Sequence, residues 1–267
     1  MPVELNGSRV LLTGATGGIG HAIARALHAR GAHLILTGRR AEVLDQLVGG
    51  LGDRAEARAL DLADADAVHR FAAEVGDVDL FVANAGLPGT GQLTDYTGEQ
   101  IDRVLDVNLR SPIHMTHALL PGMLERGRGH LVYISSISGK VATPYSSLYN
   151  ATKFGLRGFS FAMHEDLRGT GVGTTAVFPG AVADAGMWAD GGLDLPPGVR
   201  PSKLSAVADA VIEGIEKDKP EISVGNPIER LGGVLAGFAP RLVSFINRHG
   251  PTNKLAEALA ERQAEKR

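Results

Sequence analysis

The sequence predicts an α/β protein built on one doubly wound parallel sheet of about seven strands, with helices on both faces and a helical extension at the C-terminus. Three observations carry this reading. Short apolar runs alternate with stretches of helical spacing between residues 9 and 224. The runs are continuous rather than polar-apolar, as in LFVA at 80–83, which suits strands buried on both faces. A glycine-rich turn, TGATGGIG, separates the first run from the first helical stretch. No linker composition breaks residues 1–226, so they are read as one domain, with 227–267 as its helical extension.

A chain of 267 residues is ample for one large α/β domain and short for two. Its 44% apolar and 21% charged residues are ordinary for a soluble globule. The absence of cysteine excludes disulfides, thiolate metal sites and cysteine nucleophiles. Nine histidines fall into no metal-ligand pattern, so no metal is expected, and a net charge of −3 gives no reason to expect nucleic acid. The first residues lack the charged-then-apolar pattern of a signal peptide, and no apolar run approaches the ~18 residues of a membrane span. A reduced, cytoplasmic, soluble protein is the expectation.

Residues 9–13 form the first strand and 18–30 the first helix; 33–37 is the second strand and 41–48 the second helix. The third strand covers 56–60, a helix 65–75, and the fourth strand 80–83, ending in Asn84-Ala85-Gly86. Thr97-Gly98-Glu99-Gln100 has the form of a capping box opening a helical region that runs through Asn108 toward Arg126, with Pro112 and Pro121 expected to bend or divide it. The fifth strand is 130–135, a long helix 147–168, and the sixth strand 174–178, stopped by Pro179-Gly180. Regularity ceases over 181–200, which holds the only tryptophan; a loop this long in a compact domain is expected to be a lid or disordered. A helix at 203–216 and a strand at 221–224 complete the set.

Gly14, Gly18 and Gly20 lie in the first strand-to-helix turn, where glycine permits positive φ and lets a pyrophosphate approach the backbone at a helix N-terminus. Its place between a strand and an amphipathic helix strengthens this reading over a turn that merely packs tightly. At the end of the second strand an acidic residue would bind ribose hydroxyls. Gly38-Arg39-Arg40 stands there instead, and guanidinium suits the extra phosphate of NADP. Arg39 is the expected contact, and Arg40 is read as a solvated start to the next helix.

The stretch ISSISGKVATPYSSLYNATK at 134–153 holds three side chains able to share proton chemistry. Tyr149 and Lys153, four residues apart, stack on one helix face. An ammonium there is expected to lower the phenol's pKa from about 10. Ser136, at the end of a buried strand, can hold a carbonyl oxygen between the hydroxyls. YxxxK alone heavily favours a helix with one tyrosine and one surface lysine; what precedes it in the chain gives it weight.

With TGxxxGxG at Thr13–Gly20, Asp61-Leu62, NAG at Asn84–Gly86, Asn108 in VNL, Ser136 thirteen residues before Tyr149, YxxxK, and Pro179-Gly180 in order, the chain resembles the short-chain dehydrogenase/reductase family over roughly 7–224. That resemblance implies a Rossmann-type fold and an NADP(H)-dependent oxidoreductase passing hydride between nicotinamide and a carbonyl or secondary alcohol. Tyr149 would be the general acid, Lys153 would tune it and hold the nicotinamide ribose, Ser136 would polarise the carbonyl, and Asn108 would serve a proton relay. Gly14, Thr16, Gly18, Ile19, Gly20, Arg39, Asp61, Leu62, Asn84, Gly86, Pro179 and Gly180 would line the cofactor with Tyr149 and Lys153. A homodimer or homotetramer, paired through helices at 104–126 and 147–168, is also implied. Two departures stand out: Asp184 where relatives often have threonine against the cofactor, and Ala83 where many have a second asparagine. The competing classes are a non-catalytic NADP sensor, which the intact Ser136, Tyr149 and Lys153 argue against, and a sugar-nucleotide epimerase, which needs a longer chain. Met187, Trp188, Leu193 and Leu195 in the loop lean slightly toward a hydrophobic carbonyl substrate, packing on a partner subunit being the equal alternative.

The tail is least family-like. Leu231, Val234, Leu235, Phe238, Leu242, Phe245 and Ile246 recur with helical period, flanked by Arg230, Arg241 and Arg248. The last 48 residues carry seven basic and five acidic side chains, +2 against −5 for the remainder. The favoured expectation is a helical cap over the substrate side or a subunit interface, with the stripe facing inward. A helix lying on a membrane surface is the alternative.

Overall fold

The computed structural model describes residues 3–182, 201–249 and 252–262. Seven strands form one parallel sheet in the order β3-β2-β1-β4-β5-β6-β7: β1 (Arg9–Leu12), β2 (His33–Gly38), β3 (Ala55–Ala59), β4 (Leu80–Ala83), β5 (Gly129–Ile134), β6 (Val172–Pro179) and β7 (Glu221–Val224). The order reverses between β1 and β4, and in such sheets ligands bind outside the carboxyl ends of the strands at that switch point. This is the Rossmann-type architecture the alternation predicted.

Period-two side chains divide the interior into two cores. Val10, Leu12, Leu34, Leu36, Val132 and Ile134 point to one face, covered by α1 (Gly18–Ala29), α2 (Ala41–Leu51) and α7 (Leu204–Lys217). Leu11, Ile35, Phe81, Leu131 and Tyr133 point to the other, covered by α3 (Ala65–Glu74), α5 (Ser111–Glu125) and α6 (Ser147–Asp166). Burying each such side chain is worth about 1.5–3 kcal/mol, which is why both faces of these strands are apolar. All eight residues of β6 are buried, so it extends past both ends of the predicted strand.

The capping box at Thr97 is present, with Gln100 N–H donating to the Thr97 hydroxyl and Thr97 N–H to the Gln100 side chain, and it opens α4 (Gly98–Leu105). The interruption expected at the prolines falls earlier. A π-helical turn, Asp106–Arg110, joins α4 to α5, and Ser111 N–H reaches back to the Asp106 carbonyl. Pro112 lies in the first turn of α5, and Pro121 sits inside that helix. Pro112 has no N–H to give the carbonyl of Asn108, four residues back, and its ring would crowd that carbonyl in a regular helix. Widening the turn there relieves the conflict and sets Asn108 facing inward, fully buried.

The tail forms three helices, α8 (Pro227–Phe238), α9 (Pro240–His249) and α10 (Thr252–Arg262), with α8 and α9 divided at Ala239-Pro240. They lie against the loop between β5 and α6. A side chain at Gly233 would press on Ile137 and Lys140, Asn247 donates to the Ala142 carbonyl at 3.0 Å, and the Tyr145 hydroxyl reaches Glu257 at 3.4 Å. The apolar stripe, however, does not cover the chain's own core. Its side chains are exposed, Phe238 at 88%, while the face turned inward carries Gly233 and Val243. Small residues permit close approach, so Gly233 seats the helix and the bulky residues are left outside.

Candidate active site

The turn after β1 is held from beneath. Asn84 donates its amide to the carbonyls of Thr13 and Gly14 at 3.0 and 3.1 Å, and the Thr13 hydroxyl accepts from the backbone of Asn84 and Ala85. Gly14 has φ +67, and a Cβ there would come within 2.7 Å of Ala85 Cα, so only glycine fits. At Gly20 a side chain would run into the Gly14 carbonyl; at Gly38 it would meet Thr16 Cγ2 at 2.7 Å. α1 begins at Gly18 after Gly17, without a side-chain cap and with no acidic residue in its first turn, whereas α3, α4 and α8 are capped by Asp64, Thr97 and Asn226. Uncapped N–H groups at a twelve-residue helix, approached through side-chain-free backbone, fit a dinucleotide pyrophosphate. Ile19 sits in that first turn and packs on the core.

At the end of β2 the two arginines are both exposed but differently placed. Arg40 is more than a solvated helix start: it donates to the Thr16 carbonyl at 2.5 Å and closes over the glycine turn. Arg39 makes no hydrogen bond or ion pair among the described residues. At the end of β3, Asp61 accepts from Ala63 N–H at 3.0 Å and pairs with Arg103 at 3.3 Å. Leu62 is buried, and its carbonyl takes a hydrogen bond from Ser111.

Ser136, Tyr149 and Lys153 come together at the carboxyl end of the sheet, next to β5 and β6. Tyr149 stands in the first turn of α6 and Lys153 one turn on, both buried. The Lys153 ammonium donates to the Ile134 carbonyl at 2.9 Å and lies 5.6 Å from the centre of the Tyr149 ring. Ser136 follows β5 and hydrogen-bonds the Tyr149 phenol, which draws that group's pKa down. Burial outweighs this and pushes Tyr149 up to about 12, the reverse of the lowering expected from Lys153. Burial likewise brings Lys153 down to about 8. Both shifts share one cause: a site walled from water disfavours phenolate and ammonium alike. A Cβ at Gly86 would stand 3.5 Å from the Lys153 ammonium and 3.7 Å from Asn108 Oδ1, which puts this residue against both side chains.

Asn108 spends its side chain on the backbone. It accepts from Leu87 N–H at 2.7 Å, donates to the Leu87 carbonyl at 2.9 Å, and reaches the Thr152 hydroxyl at 3.3 Å. Asn150 does the same for the facing loop, donating to the carbonyls of Ser138 and Val141 at 2.6 and 2.9 Å. It thereby ties the Ser136 loop to the helix bearing Tyr149. Asn150 was in plain view inside YNATK, yet nothing in its spacing marks it as a tether.

Pro179 closes β6, and Gly180 N–H donates to the Val224 carbonyl at 2.7 Å. A residue that the sequence did not single out meets this turn. Glu229, from the capping box of α8, accepts from Ala181 N–H at 3.2 Å, and a Cβ at Gly180 would stand 2.5 Å from its carboxylate. Asp184, Met187, Trp188, Leu193 and Leu195 lie outside the described residues. Ala83 is buried at the end of β4.

A family model described as short chain dehydrogenase matches residues 8–193. "Ketoacyl reductase HetN" of Nostoc sp. is 35% identical over 232 residues, 84% of this chain and 81% of that protein. A solved metagenomic short-chain oxidoreductase in complex with NADP is 32% identical, with TM-score 0.71, covering 83% of this chain and 98% of its own. A short-chain dehydrogenase from Sphingobium yanoikuyae in complex with NADPH is 26% identical, with TM-score 0.78, covering 89% and 95%.

Proposed function

The chain belongs to the short-chain dehydrogenase/reductase family, and from that premise we propose that it is an NADPH-linked reductase of hydrophobic ketones or aldehydes. The observation that carries this reading is the junction of Ser136, Tyr149 and Lys153, in a sheet whose first helix, α1, has an uncapped N-terminus. The cofactor would supply hydride to the carbonyl carbon, its pyrophosphate on the Gly14–Gly20 turn and its 2′-phosphate between Arg39 and Arg40. Gly86 lies against Lys153, which is placed to hold the nicotinamide ribose.

Tyr149 gives its proton to the carbonyl oxygen as charge develops there. At about 12 the phenol is protonated throughout the working range. It remains strong enough to protonate an alkoxide, whose conjugate acid is comparable to water at about 15.7. Ser136 shares the same oxygen and fixes the phenol's direction. Lys153, titrating at about 8, is mainly cationic at neutral pH and offsets charge left on Tyr149. The Asn108 carbonyl, which Pro112 cannot serve, is a suitable acceptor for a relay water.

We further read α5 and α6 as the pairing surface of a homodimer or homotetramer, supported by Leu124 and Phe154 standing 41% and 40% exposed. The test of function is NADPH oxidation against a panel of ketones and aldehydes, with a 3-ketoacyl thioester included because the Nostoc relative is named a ketoacyl reductase. Turnover of at least one hydrophobic carbonyl supports the reading. NADPH binding with no turnover across the panel overturns it in favour of a sensor.

A further inference from the structure

The exposed face of α8 and α9 has a composition that neither the catalytic reading nor the fold requires. On α8, Ile228, Leu231 and Phe238 are 69%, 58% and 88% exposed; on α9, Leu242, Phe245 and Ile246 are 53%, 60% and 53% exposed. Scattered exposed apolar residues are ordinary, but a sustained stripe over two consecutive helices marks a surface with a partner.

The outward charges that α8 and α9 themselves carry are all of one sign, the exposed acids Glu257 and Glu261 lying on the neighbouring α10. Glu229, the only acid on α8, is turned inward onto Ala181 N–H and Asn226 N–H, so Arg230 is the charge left outside. α9, PRLVSFINRH, has no acid at all. Its Arg241, Ser244 and Arg248 recur at i, i+3 and i+7 beside the apolar stripe, forming a basic edge. Arg241, Arg248 and His249 also border an open depression of ≈ 480 Å³, with Phe245 stacked on His249 at 4.3 Å between ring centres.

We propose that this face docks on an anionic phospholipid surface, the apolar stripe entering the acyl boundary and the arginines meeting headgroup phosphates. The occupant is fixed by the charge. A second copy meeting α8 and α9 through a two-fold axis would set arginines against arginines, with no outward acid on these two helices to answer them. An anionic bilayer offers apolar depth and phosphate together. No helix among the described residues is long and apolar enough to cross a membrane, so the contact is peripheral. Because α8 rests on Ile137 and Lys140, such docking brings the loop behind Ser136 toward the lipid.

The experiment is co-sedimentation of the full chain with vesicles of phosphatidylcholine alone and of phosphatidylcholine mixed with phosphatidylglycerol. Sedimentation velocity without lipid is run in parallel. Binding to the mixed vesicles should be at least ~10-fold tighter than to phosphatidylcholine and should weaken with salt. Phe238→Asp with Phe245→Asp, and separately Arg241→Glu with Arg248→Glu, should each abolish it while leaving the thermal midpoint unchanged. Failure of the wild type to bind mixed vesicles, or equal binding to both lipids, overturns the proposal without reference to any variant. So does retention by both variants. If the aspartate pair instead dissociates a wild-type oligomer that does not bind lipid, the face belongs to a second copy and the lipid assignment is wrong.

Discussion

Asn108 grips the backbone of Leu87 at both polar groups, taking its N–H at 2.7 Å and giving to its carbonyl at 2.9 Å. The side chain acts as a missing strand partner for the loop that follows β4, and Gly86 in that loop floors the site. Asn108→Ala should cost about 1–3 kcal/mol, because Leu87 is left with polar groups unanswered. Asn108→Asp keeps the acceptor and loses the donor, so it should fall between. Thermal melts with NADPH titrations check this; a wild-type midpoint in Asn108→Ala would show that the clasp contributes nothing.

Tyr149→Phe removes the proton and keeps the ring. Reductive turnover should drop at least ~100-fold, the ordinary scale of general-acid catalysis, with the NADPH dissociation constant changed far less. Near-normal turnover would remove Tyr149 from the mechanism.

Cofactor choice separates the two arginines. NADPH should bind more tightly than NADH, and Arg39→Ala should weaken NADPH selectively by about 1.5–3 kcal/mol, the worth of a charged hydrogen bond. Arg40→Ala should weaken both cofactors, because Arg40 also braces the turn at Thr16. Dissociation constants for both cofactors in the three proteins decide it, and equal affinity in the wild type refutes the assignment.

Reduction should lose rate as pH rises through about 8, where Lys153 gives up its proton and its charge. Below that the ammonium is present and the rate should level off. The kcat/KM profile of wild type against Lys153→Met tests this, since the variant should lack that limb.

His130 is buried against Thr175, and burial holds it down at about 4, against a weaker opposing pull from Asp218. The unfolded chain binds a proton near 6.5, so stability present above that pH is lost as pH falls toward 4, up to about 3 kcal/mol. His130→Gln should flatten this part of the acid limb. Urea unfolding across that range provides the measure, and an unchanged slope would clear His130.

The sequence by itself determined the order of strands and helices, because burial on two faces demands continuous apolar runs such as LFVA, and helices with one wet face show their period. It also placed Tyr149 and Lys153 on one face of α6 and the Gly14–Gly20 turn between β1 and α1, since helical spacing and tight turns are local. Tertiary structure alone decided what depends on elements distant in the chain. Asn108 meets Leu87, Asn150 holds the Ser138 carbonyl and Glu229 reaches Ala181, contacts that no local period encodes. Burial reversed the expected sense of the Tyr149 shift, because desolvation is set by every neighbour at once. The tail makes the same point: its period showed a stripe, and only packing revealed that glycine faces inward while phenylalanine faces out. Close approach of helix to loop selects the smallest side chains, whatever their hydrophobicity.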